Sequence, residues 1–139
     1  MLAAVQQVFD LRDDGVFRAA SGLAGGLGLT GAFCGALTGG VMALSQRYGR
    51  ERHRIADRER IRYRSYELAK RLYERFLEEY GTASCRGIQE KIMGRSYDLW
   101  DPKEMEAFEA AGGHDRVSPE VVGKAARWVA EMILEEDSK

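Results

Sequence analysis

The sequence predicts an all-α fold, a compact bundle of five to seven helices packed around a central glycine-rich helix. Residues 19–46 carry no charged side chain or histidine and hold eight of the sixteen glycines. Residues 50–80 place apolar side chains at every third or fourth position, the period of an amphipathic helix. No segment shows the alternation typical of a strand. We expect one domain over residues 1–139.

The N-terminal quarter is predicted to hold two short helices and a loop. Apolar residues recur at helical spacing over residues 2–11 and again over residues 16–23. The glycines of residues 25–28 then favour a loop, because glycine alone reaches left-handed backbone angles without cost.

The charge-free stretch has two possible interpretations. A membrane helix needs about 20 apolar residues, and Gly31, Gly35 and Gly39 have the four-residue spacing that packs membrane helices. The glycines before residue 31 disfavour a helix interior, however, which leaves only residues 31–48 as one continuous helix. That length is short for a span, and in a soluble protein the same spacing lets two backbones approach closely. We therefore predict a buried central helix and no membrane association.

Composition agrees with an ordinary globular protein. Hydrophobic residues make up 45% of the chain, charged residues 31%, and the formal net charge is −1. A net charge this close to zero gives no overall electrostatic attraction to nucleic acid or anionic lipid. Two cysteines are too few for a disulfide scaffold and fit a reducing compartment, so we expect a cytoplasmic protein. No charged region precedes the first apolar residues, and we expect no signal peptide.

The long helical pattern of residues 50–80 begins with a basic run. Residues 47–64 hold eight arginines against three acidic residues. Such a run can bind a phosphate backbone, but the spacing of Asp57 from Arg54 and Arg60 favours a solvated face with ion pairs. We predict no nucleic-acid binding.

The helical pattern of residues 50–80 is also unusually aromatic, which predicts self-association as a homodimer. Its aromatic residues are Tyr63, Tyr66, Tyr73, Phe76 and Tyr80.

Capping signals predict the remaining helices. Gly81 is placed to end the long helix, and Thr82 or Ser84 to cap the next one. Asp101 followed by a proline and a glutamate is a full start signal for a third. Ser118, also followed by a proline, opens the last helix.

Two candidate sites lack their required context. Residues 26–31 match a dinucleotide-binding fingerprint, but that motif works only between a strand and a helix, and no strand precedes it. His53 and His114 are the only histidines, and neither shows metal-ligand spacing with a cysteine. We interpret both as surface residues.

The two cysteines are the more informative candidates. Cys85 falls in the first turn of a predicted helix, where the dipole and Arg86 favour a thiolate. Cys34 lies in an apolar element, which raises the pKa of a thiol. A reactive thiolate beside a buried thiol suits a redox pair. The alternative is two inert core cysteines, a common fate of this residue.

A series of motifs resembles the C_GCAxxG_C_C family of redox-active bacterial and archaeal proteins. The resemblance begins with residues 21–26 and 33–40, which surround Cys34, and continues through residues 76–85 to Cys85. It extends to residues 98–102 and to the last helix from Ser118. The resemblance implies thiol redox chemistry or a metal centre, with Cys34 and Cys85 as its site residues.

The chain departs from the family at two of its four cysteines. Ser118 stands where the family has its last cysteine, and the first would lie just ahead of Met1. Serine is a poor substitute for a soft thiolate ligand, which weakens a four-thiolate cluster most. We therefore expect a small thiol redox or electron-transfer protein, and as the alternative a helical scaffold or assembly protein that has lost the chemistry.

Overall fold

The computed structural model describes residues 1–139 and contains seven α-helices and no strand. The helices are α1 (Leu2–Val8), α2 (Asp14–Ala19), α3 (Gly35–Tyr48), α4 (Arg62–Tyr80), α5 (Cys85–Met93), α6 (Pro102–Ala110) and α7 (Ser118–Asp137). Short 3₁₀ turns form at Ser21–Leu23 and Arg52–Arg54, and a π-helical turn at Gly113–Val117. The predicted all-α fold is confirmed, and its helix count is the upper end of the expected range.

Helix α3 lies between α1, α4 and α7 and contacts all three. Its buried Leu44 packs with Leu72 and Phe76 of α4 and Val129 of α7 in one continuous hydrophobic core. The helices approach closely at Gly40, where an added Cβ would stand 2.6 Å from the Leu72 side chain. A missing side chain therefore sets how closely α3 approaches α4.

Local capping explains why α5 and α6 begin where the sequence predicts. The Ser84 hydroxyl accepts a hydrogen bond from Gly87 N at 3.0 Å, and Asp101 Oδ1 accepts one from Lys103 N at 2.8 Å. Gly81 ends α4 in the left-handed conformation, at φ 74°. Helix α7 begins at Ser118.

Two predicted helices are shorter than their patterns suggest. The pattern of residues 31–48 becomes helical only at Gly35, because Gly31 is left-handed (φ 77°) and the extended chain after it pairs through Phe33 with Ser84. The pattern of residues 50–80 becomes helical only at Arg62. Before it, Asp57 turns the chain at positive φ, and its buried carboxylate pairs with the Arg62 guanidinium at 3.0 Å.

None of the helices combines the length and the apolar character needed to cross a lipid bilayer. The dinucleotide fingerprint at residues 26–31 is followed by extended chain and preceded by a 3₁₀ turn rather than a strand.

Candidate functional site

An isolated antiparallel bridge joins the two segments that carry the cysteines. Phe33 stands opposite Ser84. Cys34 N donates to Ala83 O at 2.9 Å, and Cys85 N donates to Ala32 O at 2.6 Å. Because side chains alternate along extended chain, Cys34 and Cys85 project from the face opposite to Phe33 and Ser84. The bridge therefore brings both predicted site residues to one face.

The two cysteines occupy diagonal positions on this face. Cys34 is directly opposite Ala83, and Cys85 is two residues further along the same segment. Such diagonal neighbours lie about 7–8 Å apart, slightly beyond the roughly 4.4–6.8 Å between the Cα atoms of a disulfide. Both thiols are free in the structure.

A left-handed turn of residues 25–29 covers Cys85. All five residues have positive φ, between 58° and 78°, including the non-glycine residues Leu27 and Leu29. An added Cβ at Gly26 would stand 2.8 Å from Cys85 Cβ and 2.7 Å from Ala32 N. Left-handed backbone costs roughly 1–2 kcal/mol at each non-glycine residue, and strain of this kind concentrates at functional sites. The predicted loop is therefore a left-handed turn that packs against Cys85.

Both cysteines line a cavity of about 430 Å³, which we call the thiol cavity. Sixteen of its 23 lining residues are hydrophobic, among them Leu23, Ile88 and Val121. Apart from the cysteines, its polar side chains are Ser21, Gln89, His114 and Ser118. The thiols thus face a small-molecule-sized, mainly apolar space.

Burial raises the pKa of both thiols. Cys34 is the N-cap residue of α3, and the N–H groups of Ala36 and Leu37 partly oppose the effect of burial on its pKa, although its side chain makes no capping hydrogen bond. For Cys85, burial and then the nearby Cys34 raise the pKa to about 11. The expected rise at Cys34 agrees with the structure, and the expected thiolate at Cys85 is wrong. Burial outweighs the helix N-terminus there, and the Arg86 guanidinium points to Thr30 O, at 3.4 Å.

Gln89 is a site residue that the sequence analysis missed. It is 6% exposed, and its Nε2 lies 3.9 Å from Cys85 Sγ, one helical turn away. Its Oε1 accepts a hydrogen bond from Tyr97 N at 3.0 Å, which fixes the orientation of the amide. The sequence did contain one sign of its role, since Gln89 is a polar residue on the otherwise apolar face of α5 that carries Ile88 and Ile92.

His114 lies on the π-helical turn at the mouth of the thiol cavity. Its side chain is 55% exposed, so its predicted place at the surface is correct, and it also lines the cavity. Its Nδ1 lies 2.5 Å from Glu109 Oε1. Its ring and that of Phe108 are nearly perpendicular, with 5.2 Å between the ring centroids. His53 is also exposed, and it is not among the residues that line the cavity.

Comparison with known proteins decides the family. A family model described as "Putative redox-active protein (C_GCAxxG_C_C)" matches residues 1–132. The chain belongs to the C_GCAxxG_C_C family. This membership supports a general redox role. No curated protein and no solved structure matches the chain.

Ser118 and Met1, which are expected from the sequence to lie at or beside the two missing family cysteines, line the same cavity as Cys34 and Cys85. Four separated segments therefore converge on one space. The residues present do not fit a four-thiolate metal centre, because no group of three or more His, Cys, Asp or Glu side chains is placed to hold a metal ion.

Proposed function

We propose that this protein is a small thiol redox protein in which Cys34 and Cys85 alternate between a dithiol and a disulfide. The observation that carries the proposal is their shared position: the Phe33–Ser84 bridge directs both thiols into one cavity. Family membership supports the same general chemistry. When the pair is oxidised, two S–H bonds break, one S–S bond forms, and two electrons and two protons pass to an acceptor in the cavity.

The surroundings favour different roles for the two thiols. Burial raises the pKa of both thiols, and only at Cys34 do backbone N–H groups, those of Ala36 and Leu37, oppose that rise, so we assign Cys34 the first step of the reaction with the acceptor. Cys85, whose pKa is raised to about 11, then completes the disulfide as a protonated thiol that gives up its proton in that step. Free thiols persist in a reducing compartment, which supports a cytoplasmic location.

Burial of both thiols favours a second candidate, a scaffold protein that has kept the fold and lost the chemistry. Cys34 is only 7% exposed, and burial raises the pKa of both cysteines, as expected for inert core residues.

We also propose a twofold homodimer. Its motivation is an exposed apolar stripe on α4, formed by Tyr63, Tyr66, Tyr73 and Leu77 at helical spacing.

Mild oxidation followed by peptide mapping distinguishes the two candidates. Diamide, a small neutral thiol oxidant, should convert the reduced protein to a form with one Cys34–Cys85 link within each chain. Cys34→Ser and Cys85→Ser are matched controls, and neither should form an intrachain link. If both thiols remain free in the folded wild-type protein and react only after unfolding, the scaffold is the correct account.

A further inference from the structure

The wall of the thiol cavity carries no charged side chain. Although 31% of the residues in the chain are charged, none of the 23 lining residues is Asp, Glu, Lys or Arg. Transfer of an unpaired charge from water into such surroundings is strongly unfavourable. The cavity therefore selects neutral ligands.

Two polar side chains can hydrogen-bond a neutral ligand beside the thiols. The Gln89 Oε1 is occupied by Tyr97 N, so its Nε2 donor faces Cys85 and the cavity. His114 uses Nδ1 for Glu109, which leaves its Nε2 for a ligand at the cavity mouth. With Nδ1 donating to Glu109, Nε2 of the neutral ring is an acceptor, so the Gln89 donor beside the sulfur suits a carbonyl oxygen and the His114 acceptor suits the hydroxyl of the reduced ligand.

We propose that the thiol cavity binds a neutral quinone, which accepts the electrons of Cys34 and Cys85. This inference rests on the proposed thiol redox function and names its acceptor. A quinone is flat and apolar, and it carries two carbonyl oxygens on opposite sides of its ring. The cavity volume of about 430 Å³ lies within the range of small-molecule sites, roughly 300–1,000 Å³.

The reaction balances without creating charge. The S–H bonds of Cys34 and Cys85 break, and one S–S bond forms between the two sulfurs. The thiols lose two electrons, and the quinone gains these electrons with the two protons, so that each carbonyl oxygen becomes a hydroxyl. The hydroquinone then leaves. Reactants and products are all neutral, which suits a cavity that has no charged side chain to stabilise an ion.

A glutathione or peptide disulfide fits the same site less well. Thiol–disulfide exchange begins with a thiolate, whereas burial favours the protonated form of both Cys34 and Cys85. Glutathione is also charged, and the cavity wall offers it no ion pair.

Anaerobic mixing of the reduced protein with duroquinone tests the proposal. Its ring is fully substituted, so a thiol forms no stable thioether with it. We expect one Cys34–Cys85 disulfide for each hydroquinone formed, at a higher rate than with oxidised glutathione. The Cys34→Ser/Cys85→Ser protein should still bind duroquinone in calorimetry, and Gln89→Leu should weaken this binding.

Two exposed positions provide a matched pair of charged variants. Phe17→Asp adds a carboxylate at the cavity wall, and Val8→Asp adds one outside it. We expect Phe17→Asp, and not Val8→Asp, to slow oxidation by duroquinone by about tenfold. Equal rates in the two variants would overturn the assignment of this cavity as the quinone site.

Diamide separates the failure of this proposal from the failure of the redox function. If diamide forms the disulfide while duroquinone neither binds nor oxidises the pair, the quinone proposal is wrong and the redox function stands. If duroquinone binds the double serine variant but no oxidant links the cysteines of the wild type, the redox function is wrong, and electron transfer to a quinone is wrong with it.

Discussion

The Cα atom of Gly35 lies so close to the carbonyl oxygen of Leu23 that a Cβ at position 35 would stand 2.9 Å from this oxygen. The contact joins the first residue of α3 to the 3₁₀ turn beside it, and both residues line the thiol cavity. The partner is backbone, which cannot move aside as a flexible side chain can.

Replacing Gly35 should therefore destabilise the fold. We expect Gly35→Ala to lower the free energy of unfolding by about 1–3 kcal/mol, and Gly35→Leu by more, because each overpacks this contact. Denaturant unfolding followed by circular dichroism measures the change. Gly123→Ala, in α7 with open space around it, is the control, and should stabilise by about 0.5–1 kcal/mol. A Gly35→Ala protein as stable as wild type would contradict this account.

The left-handed turn of residues 25–29 provides a second pair of variants. Gly26→Ala brings a Cβ against Cys85 and the Ala32 backbone, whereas Gly28→Ala meets nothing within 4 Å. Both adopt positive φ, so each loses about 1 kcal/mol to backbone strain. Gly26→Ala should lose more stability and should also expose Cys85 to faster alkylation. Equal alkylation rates in the two variants would show that the turn does not support Cys85.

The pKa of Cys85 predicts a loss of stability in alkaline solution. Its folded-state pKa of about 11 lies above the ordinary value of 9.0. The folded protein therefore holds this proton more tightly than the unfolded chain does, and the stabilisation present below pH 9 disappears as the pH rises to about 11. The expected loss is on the order of 2 kcal/mol.

Unfolding titrations of wild type and Cys85→Ser between neutral and alkaline pH measure this contribution. The serine variant lacks the ionising thiol and should lose less stability over the same range. Alkylation of Cys85 in the folded protein should follow the same high pKa and remain slow at neutral pH. Rapid alkylation of Cys85 at neutral pH would show that its thiolate is stabilised after all.

The homodimer proposal makes a prediction about α4. Tyr66→Arg should abolish the dimer, because it places a charge in the centre of the exposed stripe formed by Tyr63, Tyr66, Tyr73 and Leu77. Val8→Arg, at an exposed position on α1, is the control and should leave the mass unchanged. Light scattering measures both. A monomer mass for the wild-type protein across a wide concentration range would rule out the dimer.

Local chemistry made much of the fold predictable. Ser84, Asp101 and Ser118 mark helix starts through their own side chains or the proline that follows, so α5, α6 and α7 begin where expected. The start of α3 was missed because Phe33 is paired with Ser84, a residue distant in the sequence. No local periodicity reports such a contact.

The sequence pointed to two candidate site residues but not to their electrostatics. The motifs proposed Cys34 and Cys85, and the capping residues before Cys85 placed it at a helix start. The sequence did not indicate that the left-handed turn of residues 25–29 covers Cys85, and burial by distant segments reverses the expected direction of its pKa shift. Gln89 was missed for the same reason, since its importance depends on Tyr97 N fixing its amide.

Redox equilibration of the purified protein tests the central claim most directly. The protein is incubated in dithiothreitol buffers of graded potential, and the fraction with a Cys34–Cys85 disulfide is measured by mass spectrometry. We predict a reversible two-electron transition, in which the ratio of oxidised to reduced protein changes tenfold for each step of about 30 mV. The midpoint should be independent of protein concentration, because both cysteines belong to one chain. Two thiols that stay free at every potential, or a link that forms only between chains, would contradict the account.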